Sequence, residues 1–351
     1  MIRVNKTPYP TSKNYGINDI EIDEKIFDRK TNKFDGFSSK NVSEIKFLDV
    51  FAEKNQEKSN FLAQNIEDNC NFSKTVEICT DTKEPAQLLF EFEKKNTNLI
   101  EKMQIKVLSK VHAQIVLKFV GITKAFHNGQ IDLVCENDSK VEVLALFDMG
   151  KDANSFVSFG VSAKENAEVD FYIADFAGEN SIQNFHSQLF GDNAKCNLNV
   201  MYLAEKQSVL DLNFYQQIFG KECRAVIETV GALDDEAKKN FKGTISFEKG
   251  CKKSYGEESE FCMMLSDRAK SKALPMLLCG EEDVDGKHST AIGRVDERQL
   301  FYIMSRGLSF AEALKLVVKA KYNVFVSKLF DEDLKKEILE KIDRKFEYEE
   351  N

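Results

Sequence analysis

The chain has 351 residues, 42% of them apolar and 30% charged, with a formal net charge of −9, a normal composition for one large or two ordinary packed domains. The acidic balance argues against sequence-independent binding to nucleic acid or anionic lipid, either of which needs clustered Lys and Arg. The opening MIRVNKTPYP lacks the basic-then-apolar order of a signal peptide, and no apolar run reaches the roughly 18 residues needed to span a bilayer. A cytoplasmic protein is therefore expected, with a protein or a metal species as its partner.

Residues 1–74 read as an N-terminal helical arm. They hold Pro8 and Pro10, then a polar segment, then Asn41–Phe51, where Ile45, Leu48 and Phe51 recur every three residues and Ser43 can cap the start. From residue 75 the apolar period falls to two. The segments KVHAQIVLKF (110–119), KVEVLALF (140–147), NAEVDFYIADF (166–176), KCNLNVMYL (195–203) and CRAVIETV (223–230) alternate as strands do. Aligning Ala113, Val141, Ala167, Ala194, Cys223 and Cys251 gives spacings of 28, 26, 27, 29 and 28 residues. A second strand sits in most intervals, at 130–136, 155–162, 208–219 and 260–266.

Two strands per repeat of this length predict a solenoid whose coils bury one another's faces. A sandwich of hairpins is the competing architecture. Hairpins favour Asn-Gly, Asp-Gly or Gly-Gly turns, and within residues 75–295 Asn128-Gly129 and Asp285-Gly286 are the only two such pairs. The fold class expected is mainly β: a right-handed parallel β-helix over 75–295, flanked by N-terminal and C-terminal α-helical segments.

After Val295 the pattern turns helical and predicts a C-terminal helical domain over 296–351. Asp296 can cap a helix through Met304, with Gln299 as the other half of a capping box; Arg306-Gly307 closes it. Ser309 and Glu312 form a second capping box opening a helix to about Leu329. Asp331 opens a third, through about Phe346, ahead of the acidic tail EYEEN.

Eight cysteines without an export signal are expected to stay reduced. None lies in a C-x-x-C pair, and the four histidines are scattered, so any metal site must be assembled by the fold or shared between chains. No phosphate-cradling G-x-x-x-x-G-K-[ST] is present; if a nucleotide is involved, a partner binds it.

The stretch Pro275–Leu308 carries a set of residues in a specific order: Pro275, His288 thirteen positions on, Gly293, Gln299-Leu300-Phe301-Tyr302, and Ser305-Arg306-Gly307-Leu308 followed by Ala311. This resembles the C-terminal core motif of the SufB/SufD family, the scaffold proteins of the SUF iron–sulfur cluster assembly machinery. The resemblance implies a parallel β-helix, and no enzymatic activity in the chain itself. It also implies two partners, a SufC-type ABC ATPase docking on the C-terminal helices and a SufB-type scaffold, or a second copy of this chain, at the end of the β-helix. No cofactor would be held stably by the isolated chain, and a transient iron–sulfur cluster would sit between subunits. SufB-type scaffolds carry a cysteine upstream of the proline and a glutamate after the histidine; here those positions hold Glu260 and Ser289, so the chain looks like SufD.

His288 is accordingly the first candidate metal ligand, neutral imidazole being a good donor to iron. A strand histidine that merely hydrogen-bonds a neighbour is the plainer reading. Cys262 lies two residues from Glu260 and shares its strand face, which makes it the second candidate, against the common role of free cysteine as a small buried apolar residue. Cys223 and Cys251 read as stacked core thiols. Phe301, Tyr302, Arg306, Gly307, Leu308 and Phe310 form the candidate partner-binding surface, an arginine among aromatics having the make-up of a contact hot spot.

Three functional readings stand. The first is a non-catalytic SufD-like scaffold subunit. The second is a homodimeric SufB-like scaffold of a reduced SUF system. The third, an enzyme acting on acidic polysaccharide, would call for converging carboxylates in an outer groove and for export.

Overall fold

The two-residue alternation is realised as two long parallel ladders, in a computed structural model that describes residues 1–7, 15–29, 31–43, 45–48, 61–121 and 124–347. Strands alternate between the ladders, so each coil contributes one strand to each. The first ladder holds β3 (Phe37–Lys40), β6 (Ala86–Phe92), β8 (His112–Gly121), β10 (Lys140–Asp148), β12 (Glu168–Phe176), β14 (Lys195–Ala204), β16 (Arg224–Leu233), β18 (Ser254–Met264) and β20 (Val284–Arg294). The second holds β4 (Ile45–Leu48), β5 (Phe72–Ile78), β7 (Asn98–Val107), β9 (Phe126–Cys135), β11 (Asn154–Ala163), β13 (Asn180–Leu189), β15 (Val209–Ile218), β17 (Lys238–Phe247) and β19 (Lys270–Cys279). The result is a parallel β-solenoid of about eight turns, with four helices toward its termini.

The coils bend without the glycine turns of hairpins. Lys110, Asp138, Asn166, Asn193, Glu222 and Lys253 all adopt positive φ at one corner, just before the strands of the first ladder. Each donates its amide to a carbonyl of the following coil, as Asn193 does to Lys221 at 2.8 Å. That ladder of bonds offsets the cost of about 1–2 kcal/mol that an L-residue meets in this region.

The apolar side of the alternation points into the lumen, forming one continuous core from Phe34 to Ala269. The opposite faces are covered at two places. A helical layer, α3 (Phe310–Val326) and α4 (Glu332–Glu347), packs on the outer face of the first ladder through Val317, Tyr322, Phe325, Ile338 and Ile342. Tyr322 donates to the Tyr202 carbonyl at 2.8 Å, and Lys118–Glu337 (2.6 Å) and Lys341–Asp148 (2.5 Å) pin the middle of α4 to the first ladder. The second ladder is covered near its start by α1 (Phe61–Asn69) and by the antiparallel pair β1 (Ile2–Val4) and β2 (Ile20–Ile22).

The capping pattern of the C-terminal region is present as expected. Ser309 and Glu312 form a reciprocal capping box at α3, and Asp296 caps α2 (Glu297–Met304) through the Arg298 amide. Asp331 accepts from the Leu334 amide at the start of α4.

Two expectations are corrected. The helix read over Asn41–Phe51 is instead the strand β4, antiparallel to β5. Ile and Phe at 45 and 47 suit a strand as well as a helix, a segment this short cannot carry the cost of helix nucleation, and the free edge of β5 supplies ladder bonds. The arm is thus mostly strand, with its helix at α1. Pro8, Pro10, Phe51 and the acidic tail beyond Glu347 lie outside the described residues. The second correction concerns the repeat. Val141 pairs with Val169, not Ala167, and Cys223 aligns with Ser254 rather than Cys251. The small residues Ala167, Ala194 and Cys223 occupy the corner before the strand; they and Cys251 are buried.

Candidate functional site at the end of the solenoid

In the last coils charged residues join the apolar ones at inward positions. Along β18 the residues facing the lumen are Glu258, Glu260 and Cys262, each fully or almost fully buried. The parallel register sets His288 beside Glu258, Thr290 beside Glu260 and Ile292 beside Cys262 on β20. Across the lumen, Lys239 of β17 closes on the Glu260 carboxylate. Its ammonium also lies 5.8 Å from the ring centre of Tyr202 and 5.5 Å from that of Phe241, within cation–π range. Burial pulls Lys239 down to about 8.

Glycines make this crowding possible. A Cβ on Gly231 would fall 2.1 Å from the Tyr202 ring, which crosses over β16 to bring its hydroxyl 3.4 Å from Glu260. A Cβ on Gly243 would fall 2.1 Å from Oε1 of Glu258, so that carboxyl spans the lumen from one ladder to the other. Burial pushes Glu258 up to about 8. The Met276 amide moderates the rise without reaching hydrogen-bond geometry, and neither carboxyl oxygen has a hydrogen-bond partner.

The coil above is open. β19 and β20 each pair with only one neighbour, β17 and β18 respectively. β20 is exposed over most of its length, unlike the strands before it. His288 is exposed on it and makes no hydrogen bond to the described residues, so the plainer reading of a bonded strand histidine is not what the geometry shows. Cys262 shares an inward face with Glu260, as the strand period requires, but that face is the sealed lumen and the thiol is 0% exposed. It cannot meet an external ligand without movement of β20. Cys279, at the end of β19, is exposed. Among the described residues no group of three or more His, Cys, Asp or Glu gathers as a metal site, and no helix is long and apolar enough to cross a membrane.

Beside this end lies α2. Leu300 is buried against the helical layer, while Phe301 is 74%, Tyr302 59% and Phe310 56% exposed. Arg306 donates to the Tyr302 hydroxyl at 2.8 Å, and its guanidinium sits 5.1 Å from that ring's centre. Gly307 has φ +100°, the turn that lets Leu308 fold back, half-buried, before Ser309 caps α3. The six candidate partner residues therefore form one local surface. What sequence reasoning missed is Glu258 with Lys239 and Glu260; charged residues at inward positions of a period-two pattern were the available signal.

A family model described as "SUF system FeS cluster assembly, SufBD core domain" matches residues 90–321. The SufD iron–sulfur cluster assembly protein of Bacillus subtilis is 26% identical over 269 residues, covering 74% of this chain and 61% of that protein. An iron–sulfur cluster assembly SufBD family protein of Pyrococcus horikoshii is 33% identical over 143 residues, 41% of this chain and 31% of the relative. SufD of Escherichia coli is 26% identical over 161 residues, 45% and 38% of the two chains. The chain thus spans about three fifths of the Bacillus relative's length, and less of the other two.

Proposed function

The chain belongs to the SufBD family of SUF-system iron–sulfur cluster assembly proteins, and is SufD-like; on that premise we propose that it is a non-catalytic scaffold subunit, which pairs with a SufB-type chain through the open coil β19–β20 and recruits a SufC-type ATPase through α2 and the start of α3. The observation that carries the reading is the contrast between this coil, whose last strand is long, exposed and unpaired on one edge, and the paired coils before it. Edge strands with unpaired N–H and C=O groups are templates for pairing with another chain. The exposed Phe301, Tyr302 and Phe310 around Arg306 have the aromatic–arginine composition of contact hot spots. His288 stands on the pairing edge, where a ligand from a second chain would meet it.

The test is anaerobic co-purification with a SUF ATPase, with and without a SufB-type partner, read by mass and by visible absorption after cluster reconstitution. A stable complex that gains cluster absorption only with the partner supports the reading. Cluster assembly by this chain alone as a homodimer replaces it with the reduced-system scaffold, and failure to bind the ATPase under either condition rejects it.

A further inference from the structure

The outer face of the second ladder carries one in-register column that the N-terminal arm, residues 1–7 and 15–22, follows from β7 to β19. In the early coils the column is Ile100, Asn128, Phe156 and Ile182. In the later coils it continues as Asp211, Asn240 and Lys272. At the apolar end, Val4, Ile20 and Ile22 of β1 and β2 cluster with Ile100, Phe156 and Ile182. At the charged end the arm is attached differently. Asn5 donates its side-chain amide to Asp211, and its carbonyl accepts from Lys242 at 3.4 Å; Lys242 also pairs with Asp211 at 2.7 Å. Beyond them, on the open coil, the Lys272 ammonium donates to the carbonyls of Tyr15 and Gly16 at 2.7 and 3.3 Å. Asn5 at φ +56° and Gly16 at φ +58° bend the arm at these two contacts.

The two ends differ in how they hold. Apolar burial under β1 and β2 is non-directional and gains from every contact. The Asp211–Lys242 pair sits on the outer face beneath the arm, and its side chains are 0% and 1% exposed. Taking both charges out of water offsets much of their attraction, and one oxygen of Asp211 has no hydrogen bond. The last contact is a lysine on two carbonyls, and the strand that bears it, β19, is paired on one side only. An end fastened by desolvated charges and a few polar bonds opens before an apolar one.

We propose that the N-terminal arm is a clasp for the open coil: anchored through β1 and β2 on the early coils, it fastens β19 through Lys272 and opens from that end. The clasp needs only this chain. Its consequence for assembly rests on the scaffold reading, since β19 is one of the two strands offered to a second chain and is held in place for pairing while the arm is closed.

Hydrogen–deuterium exchange of the full chain, resolved by peptide, tests the clasp. Lys272→Met removes the ammonium and keeps most of the aliphatic stem. It is expected to speed exchange of β19 and of residues 15–22 about tenfold, with β9 and β11 unchanged, as loss of hydrogen bonds from a charged donor implies. Asp211→Ala leaves Lys242 without its partner and should speed the same segments and residues 2–7 as well. Replacing the pair together, Asp211→Leu with Lys242→Met, puts apolar side chains in its place and should return these segments toward wild type. Exchange of β19 at the wild-type rate in Lys272→Met overturns the clasp, and so does acceleration spread evenly over all coils. Capture of a SufB-type chain is the second readout. It should weaken about tenfold in Lys272→Met, and unchanged capture alongside faster exchange overturns the link to pairing while the clasp stands. Failure of wild type to capture such a chain counts against the scaffold reading alone, because the exchange result does not depend on it.

Discussion

One column of inward side chains runs the length of the first ladder and changes character halfway. In the early coils it is Phe90, Phe119 and Phe147, whose rings stack at 4.8 and 4.9 Å with planes 13° and 8° apart. In the later coils the same column reads Asp175, Tyr202, Gly231 and Cys262. The first half is an aromatic ladder, in which each coil adds ring area to a dry stack. The second half holds buried polar groups that must find partners or remain unpaired, and it ends at the open coil β19–β20. A stack of identical rings stabilises; a row of unlike polar groups beside an open end is where binding chemistry is concentrated. The contrast separates a dry, uniformly stacked part of the solenoid from a part whose lumen is polar and abuts the open coil.

Cutting the aromatic ladder at its centre should have the largest effect. Phe119→Ala removes a ring sandwiched between two others and also packed on His127 at 4.5 Å. The expected loss is about 3–5 kcal/mol, read as a fall in denaturant midpoint at unchanged slope. Tyr202→Phe, in the later column, removes only a long bond to Glu260 and should cost under about 1 kcal/mol.

Dependence on pH should distinguish the halves next. Glu258 is raised from an ordinary carboxyl value to about 8 and Asp175 to about 6, both chiefly by burial. A raised folded value means that the folded state holds its proton longer than the unfolded one. Stability from these groups is therefore full below about pH 4 and is lost as pH climbs through 6 for Asp175 and through 8 for Glu258. E258Q should gain on wild type between pH 5 and 9, on the order of 3 kcal/mol. Asp175→Asn should gain less and earlier, its bonds to Ser181 at 2.6 Å and Gln183 at 3.1 Å restraining the shift. Denaturation at pH 5, 7 and 9 reads both; parallel curves for wild type and variants would show that the later lumen is not strained by its charges.

The same division explains what could be read from the sequence. The solenoid was legible wherever inward positions were apolar, as in β8, β10, β12, β14 and β16. The strands β13 and β17 were passed over because their inward faces carry Gln183 and Ser187, or Lys239 and Gly243, which break the alternation that marks a strand. Missing β17 is also why residues 260–266 were placed as a second-ladder strand when β18 belongs to the first. The corners were invisible because Lys, Asp, Asn and Glu, rather than glycine, take the positive φ there, held by bonds to the next coil that no local pattern announces. His288 and the aromatic–arginine surface were legible through their motif. Glu258 was not, since its place comes from Gly243 across the lumen.

Gly231→Ala tests how tightly the later lumen is filled. The added methyl would meet the rigid Tyr202 ring, and the expected cost is about 1–3 kcal/mol. Pairing it with Tyr202→Leu should recover much of that loss, since the two sites share one space and their effects should not add. Additive losses in the double variant would mean that the backbone at Gly231, not the ring, sets the constraint.

The smallest effect on stability is expected where the effect on assembly is greatest. Phe301 and Arg306 lie outside both columns; Phe301 is largely in solvent and the Arg306 guanidinium bonds Tyr302 on the same helix end. Exposed substitutions of this kind usually fall within about 0.5 kcal/mol of wild type, so Phe301→Ala and Arg306→Ala should melt as wild type does. Truncating an aromatic or arginine anchor at a contact commonly costs 2 kcal/mol or more, about thirtyfold in affinity. Surface plasmon resonance against a SUF ATPase should therefore show binding reduced by at least that factor while the melts coincide. A variant that melts early and binds normally would reassign these side chains to packing, and would leave the open coil as the molecule's sole candidate interface among the described residues.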